Sequence, residues 1–485
     1  MKMKDGQEGK AKDRSFFLKK GLKAVPAVAG KFLTAKGNAP AEGMRKKRNE
    51  ERVAKRLSLH LGMTVQEIFD GIALETNRPS AMAPFDALFR KFGTDPAGIL
   101  PGSKVKKIGV YCMAVPEELI YAAGALPVRL CAGSADAVEA GEGLFPDVSC
   151  PMVKAATGFT HTGVLSMYRE CDLVIIPTTC DWKVKLGELI APYVPVMMLS
   201  VPKLKSAETS RRFWYGEIRR LALTLEKVTG RRITRSRLRS AMELMHDAQQ
   251  EFRTFQNLRK NDLCLIRGRD AAAAANAWFY MEASEWTGYM RNLNEELMER
   301  NIRGVGTAPG SAPRILLTGS PVIFPNWKIP DLIENAGGAL TCDELCSSGR
   351  LLWDMACIDE PLFDDMLDAL ADRCLLPCTC PVFTDTEDRR KRLFRMIEDY
   401  RIEGVVHHVL KGCHPYDMEL RPLEAELAAA GVSQLKIETD YSPEDTEPLR
   451  TRVEAFVETL KGRRLRMGKK TAPPPLAAAS GKKGF

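Results

Sequence analysis

The sequence predicts an α/β protein built from two parallel sheets, with a helical segment between them and a helical extension in front. Three observations carry this. From residue 106 short apolar runs alternate with helical patterns: KKIGVYC, PEELIYAAGA, LPVRLC, CDLVIIPTTC and VPVMMLSVP. Residues 206–303 lack strand-like runs and show apolar residues at helical spacing. At 314 the alternation restarts with RILLTGSP, WKIPDLIENAGG and ALTCDEL, and continues through TEDRRKRLFRMIEDYR, GVVHHVL, PYDMELRPLEAELAAAG, LKIETD and PEDTEPLRTRVEAFVETL. Strands alternating with helices at this spacing make a parallel sheet covered on both faces.

At 485 residues the chain exceeds one ordinary core. The expected organisation is a basic, partly disordered arm over 1–56, a helical extension over 57–105, a first α/β domain over 106–205, a helical segment over 206–303, a second α/β domain over 314–460 and a basic, disordered tail over 461–485. GVGTAPGSAP (304–313) reads as a flexible linker. Hydrophobic content of 45% and charged content of 27% are those of a soluble globular protein. No apolar run approaches the ~18 residues that span a bilayer. The N-terminus lacks the apolar stretch of a secretory signal, so a reducing cytoplasm and no membrane are expected.

The net charge of +9 is unevenly spread. Residues 1–56 carry +11 and residues 461–485 carry +8, which leaves the middle at −10. Such blocks read first as solvated arms. No aromatic interleaving or reader motif points to nucleic acid.

Of thirteen cysteines, an odd number that argues against complete disulfide pairing, several fall just past apolar strands. Cys112, Cys150, Cys180, Cys346, Cys378, Cys380 and Cys413 each have a recognisable flank. Sulfur is soft and polarizable, so thiolates far apart in sequence but gathered at sheet edges suit an iron–sulfur site. A buried cysteine also serves as a small hydrophobe, and that reading is favoured for Cys131, Cys171, Cys264, Cys342, Cys357 and Cys374. The C-x2-C pairs of a zinc site are absent.

Five stretches taken together resemble the 2-hydroxyacyl-CoA dehydratase family: PEELIYAAGALPVRL, SCPMVK, TTCDWKVK, GCHPYDMELRPLEAEL and IETDYSPEDTEPLRTRVEAF. The family includes 2-hydroxyglutaryl-CoA dehydratase D-component subunits, benzoyl-CoA reductase subunits and double-cubane cluster proteins. The resemblance implies two flavodoxin-like domains with a cluster between them. It implies Cys150, Cys180 and Cys413 as ligands of a [4Fe–4S] cluster. The double-cubane branch, the nearest in pattern, adds Cys112, Cys346 and Cys378, with Cys380 competing for the last place. A double cubane, [8Fe–9S], leaves six iron sites for thiolates, and six motif-borne cysteines are present.

The implied function is an oxygen-sensitive, anaerobic iron–sulfur reductase acting on a small molecule or acyl-CoA thioester. A separate ATP-hydrolysing iron–sulfur activator would supply low-potential electrons, and the branch implies a homodimer. The chain itself has no GxxxxGK[ST] phosphate loop and no coenzyme A fingerprint. One alternative is a [4Fe–4S] dehydratase or benzoyl-CoA reductase subunit working with a second, different subunit. An alternative of another class is a non-catalytic iron–sulfur electron-transfer protein. His414, beside Cys413, and Glu117, at a helix start, are the candidate catalytic proton carriers. For Glu117 and Glu118 a favourable placement on the helix dipole competes. Asp181 and Lys183 read as loop-fixing charges or as tuners of the cluster, and His407 and His408 should face opposite sides of one strand. Arg450 and Arg452 read as residues of packing or of contacts between subunits.

Overall fold

In the computed structural model, residues 39–100, 104–358, 360 and 362–467 are described, with side chains from residue 49 onward. The expected arm over 1–38 and the tail beyond 467 lie outside them. Both sheets belong to the unit that begins at residue 49.

The first sheet holds β1 (Lys107–Val110), β2 (Leu126–Arg129), β3 (Leu173–Pro177) and β4 (Val196–Leu199) in the order β2-β1-β3-β4. The second holds β5 (Arg314–Gly319), β6 (Ala339–Glu344), β7 (Gly404–Leu410) and β8 (Ser433–Thr439) in the order β6-β5-β7-β8. Every pairing is parallel. Both orders follow the flavodoxin pattern, in which the chain reverses direction across the sheet beside the first strand and ligands gather at the carboxyl ends there. The expected repeat of architecture is therefore present. Strands β3 and β7 are buried along their whole length, which is why LVIIP and GVVHHVL read as continuous rather than alternating runs.

Between the sheets run α8 (Glu208–Thr229), α9 (Arg235–Leu258), α10 (Gly268–Ala277) and α11 (Ala283–Ile302). Helix α8 stops at Gly230, which takes the left-handed conformation that ends helices. The short α10 is wholly buried, so GRDAAAAANA is a core element made of small side chains.

Four details differ from expectation. Helix α1 is one element, Ala39–Ala73, and runs through the expected 56/57 boundary. The final helix continues to Met467, seven residues into the expected tail. The 304–313 segment is pinned: the Thr307 hydroxyl donates to the Cys264 carbonyl at 2.9 Å. Helix α13 (Phe363–Leu375) has no counterpart in the sequence reading; its apolar face packs against α8 and α9, with Leu367 and Leu370 buried. No described helix is long and apolar enough to cross a membrane.

Candidate functional site

Five cysteines sit within three residues of a strand's carboxyl end: Cys112 after β1, Cys131 after β2, Cys180 after β3, Cys346 after β6 and Cys413 after β7. Three of the expected ligands share a further position. Cys150 caps α5 (Pro151–Thr162), Cys180 caps α7 (Asp181–Ile190) and Cys413 caps α15 (His414–Ala429). Pro151 in the first turn of α5 gives up an N–H that has no intrahelical partner anyway. A helix start presents free N–H groups and positive potential, which favour a thiolate over a thiol. The Met152 and Val153 amides bond the Cys150 sulfur, and the Tyr416 amide bonds that of Cys413, which the Ser320 hydroxyl also reaches.

The three capping loops are interlocked. The Trp182 indole donates to the carbonyl of Gly412 at 3.0 Å, tying the loop of Cys180 to that of Cys413. Gly412, at φ +73°, lies against the 148–150 backbone, so Cys413 and Cys150 approach through it. Burial raises the Cys150 thiol, and the neighbouring Cys413 and Cys180 raise it further. These three sulfurs therefore share one electrostatic neighbourhood.

A second group gathers around Lys183. Burial works against charge on this ammonium, yet Cys112, Cys180, Cys346 and Cys131 together hold it above its usual range. Its Nζ donates to the Thr179 hydroxyl at 3.1 Å. Cys112 has a left-handed backbone, φ +78°, rare for a residue with a Cβ. Burial opposes its ionisation, but Lys183, the Ala114 amide, Arg129 and Arg350 outweigh burial and lower its pKa. Burial raises Cys346, offset in part by Arg350. Cys413 is coupled to both Cys180 and Cys346, so the two groups adjoin.

The loop of Cys346 is fixed by buried charge. Glu344 ends β6 and pairs with Arg350 at 3.2 Å and with Arg389. Arg350 reaches the Tyr416 hydroxyl at 2.6 Å, and Thr379 donates to Glu344 at 3.0 Å. Thr379 separates Cys378 from Cys380. Cys378 joins the apolar core between α3 (Glu117–Ala122), α8 and α13, whereas Cys380 is coupled to both Cys112 and Cys346. Burial pushes Cys380 up to about 12.

The two candidate proton carriers are placed differently. Glu117 is buried, pairs with Arg129 at 2.7 Å and accepts from the Trp278 indole at 2.8 Å. Its neighbour Glu118 pairs with Arg373 at 2.6 Å. His414 packs near Trp182, with ring centroids 6.1 Å apart, and lines a cavity of about 590 Å³. That cavity also touches Cys180, Lys203, Arg390, Val382 and Met418. His407 and His408 are buried, and burial lowers both to about 4. Each bonds a main-chain carbonyl, Tyr416 and Ser320 respectively, at 3.1 Å.

Sequence reasoning passed over Cys131, which lies beside Cys112, Cys346 and Lys183 and is pushed by burial to about 11. The signal that singled out Cys112, a thiol two residues past a strand, applied equally to Cys131. Arg350 and Gly412 carried no such signal. Of the other cysteines read as core, Cys171, Cys342 and Cys374 are buried, but Cys357 is exposed. Among the described residues, no three His, Cys, Asp or Glu side chains stand close enough to share a single metal ion. Ligands of an iron–sulfur cube each take a separate iron, so they stand further apart than ligands of one ion.

Two parallel α/β lobes with cysteines at both carboxyl edges define a two-lobed protein with a thiol-lined interior. The family model "2-hydroxyglutaryl-CoA dehydratase, D-component" matches residues 112–460, and the chain belongs to that enzyme family. YjiM of Escherichia coli (strain K12), named as a dehydratase subunit, is 32% identical over 73% of this chain and 91% of its own. The (R)-phenyllactyl-CoA dehydratase beta subunit of Clostridium sporogenes is 23% identical over 73% of this chain and 92% of its own. The (R)-2-hydroxyglutaryl-CoA dehydratase beta subunit of Acidaminococcus fermentans is 23% identical over 77% of this chain and 98% of its own.

Proposed function

We propose that the chain is an iron–sulfur reductase of this family, with Cys150, Cys180 and Cys413 as one ligand set and Cys112, Cys346 and Cys380 as a second. The observation that carries the reading is the convergence of both sets on Lys183, expressed as its charge being held by four thiols at once. The donor set fits such a group: soft sulfur, amide N–H groups aimed at the sulfurs, and buried cations to balance thiolate charge. Cys380 takes the place first given to Cys378, because its sulfur rather than that of Cys378 is coupled to both partners of the second set.

When bound, a double cubane stores and passes single electrons at low potential. The protein's own residues do the rest. Lys183 and Arg350 stabilise the thiolates. Glu344, Arg389 and Thr379 keep the Cys346 and Cys380 loops in register. The 590 Å³ cavity admits a small molecule or the acyl end of a thioester up to Cys180 and His414. His414 is the group there able to hand over a proton near neutral pH. Glu117, tied to Arg129 and Trp278, orients the helix behind Cys112 rather than carrying protons. The electron donor is a separate ATP-hydrolysing iron–sulfur protein, and the working unit is a homodimer.

Anaerobic purification with iron, sulfide and EPR analysis tests this. About eight irons per chain supports the double cubane, and about four favours the dehydratase-subunit reading. Protein that takes up no iron on anaerobic reconstitution overturns both.

A further inference from the structure

Four buried tyrosines converge behind the thiols. Tyr111 precedes Cys112, Tyr168 stands in α6 (Met167–Glu170), Tyr280 follows α10 and Tyr441 follows β8. The Tyr280 hydroxyl donates to the Cys131 carbonyl at 2.5 Å. The hydroxyls of Tyr111, Tyr168 and Tyr441 have no hydrogen-bond partner among the described residues. All four phenols are electrostatic neighbours of Cys131, and Tyr168 is also coupled to the other three. Tyr441 is coupled as well to Cys150 and Cys413.

A buried hydroxyl left unpaired costs about 1–3 kcal/mol. Three in one place mark a polar chamber, and interiors of this kind hold ordered water. The chamber borders the surface at one point. The Tyr441 residue helps line a second cavity of about 860 Å³, together with His60, Asp136, Lys328 and Arg450. The hydroxyl itself is buried, so it lies behind the cavity wall. This cavity shares no lining residue with the one at Cys180 and His414.

We propose that Tyr441, Tyr168 and Tyr111 line a hydrated passage that carries protons from this second cavity to the thiol set. The inference rests on the redox reading above, since each electron delivered to a substrate must be followed by a proton. The proton enters from bulk water and ends on the reduced substrate. Each hydroxyl or water on the way gives one proton and regains one, so none changes its net charge. Electrons come from the low-potential iron–sulfur donor. Burial holds all these phenols well above their usual range, so they stay protonated beside the thiolates. Substrate and protons then arrive by separate routes.

The test uses the iron-loaded full chain, reduced with titanium(III) citrate, and D2O as the probe. Freeze-quench ENDOR after mixing with D2O follows the arrival of solvent deuterons at the paramagnetic cluster. Tyr168→Phe and Tyr441→Phe keep the rings and should keep the iron content. Each should slow deuteron arrival about tenfold or more, the order expected when a positioned proton carrier is lost. An anaerobic crystal structure should show ordered water on the Tyr168 and Tyr441 hydroxyls. A dry chamber, or unchanged deuteron arrival in both variants, overturns the passage alone. Failure of the wild-type chain to load iron overturns the redox reading, and the role of the passage with it.

Discussion

Gly412 lies against the main chain of Cys150: a Cβ on Gly412 would stand 3.1 Å from the Cys150 amide nitrogen and 2.1 Å from the Val148 carbonyl oxygen. The left-handed φ of Gly412 adds a second reason for glycine here. Through this contact the loops after β7 and before α5 approach closely enough for Cys413 and Cys150 to share one site. Gly412→Ala should therefore separate the two sulfurs. We expect a loss of about 2–3 kcal/mol in urea unfolding and a marked fall in iron retained per chain. A variant that keeps its full iron content would show that the contact does not set the site.

Replacement of the paired cysteines separates their roles. Cys380→Ala should lower iron per chain sharply, whereas Cys378→Ala should retain iron and lose about 1 kcal/mol or less, as for a small deletion in an apolar core. The reverse ranking in anaerobic iron assays would return the ligand place to Cys378.

Lys183→Met removes the ammonium around which Cys112, Cys131, Cys180 and Cys346 are arranged. With that positive charge gone, reduction, which adds negative charge, becomes harder. EPR-monitored redox titration should show a more negative midpoint potential. In the metal-free protein, alkylation of Cys112 should require higher pH, because Lys183 is the first of the charges that lower that thiol against the opposing effect of burial. An unshifted potential with intact iron content would remove Lys183 from this role.

Glu117→Gln keeps an acceptor for Trp278 but leaves Arg129 as a buried cation without its carboxylate. Breaking one side of such a pair costs about 3–5 kcal/mol. Denaturant unfolding should register a loss of that size. A stable variant whose sole defect is catalytic would instead make Glu117 a proton carrier.

Acid should unfold the protein in part through β7. His407 and His408 are neutral when folded, with pKa values lowered by burial to about 4. Unfolding frees them to protonate below about 6.5. The unfolded state then binds more protons, so their contribution is complete above that pH and is lost as pH falls toward 4. By pH 5 the loss is about 2 kcal/mol for each ring. Urea midpoints at pH 7.5 and 5.0 should differ accordingly, and His408→Asn should shrink the difference.

Much of the architecture was legible because its signals are local. Continuous apolar runs such as LVIIP mark strands buried on both faces, and Gly230 marks a helix end. Cysteines after strands in a parallel sheet must fall on its carboxyl edge, so Cys112, Cys180 and Cys413 were placed in the right region by connectivity alone. Helix α13 went unread because ALADRCLLPC runs on into the cysteine-bearing loop without a breaker until Pro377. The boundary at 56/57 dissolved because RKKRNEERVAKRL and TVQEIFDGIALE continue one helical pattern and differ only in charge.

Alone, the amino-acid order determined the two α/β lobes, the family and the set of thiols from which a site is drawn, since periodicity and motif spacing are properties of neighbouring residues. Tertiary structure decided which sulfurs meet. Lys183 at the junction of both groups, Cys131 among them, Cys380 turned inward where Cys378 is turned to the core, and Gly412 against Cys150 are all contacts between residues distant in the chain. Burial and Coulomb energy depend on distances in space, and spacing along the polypeptide does not report them.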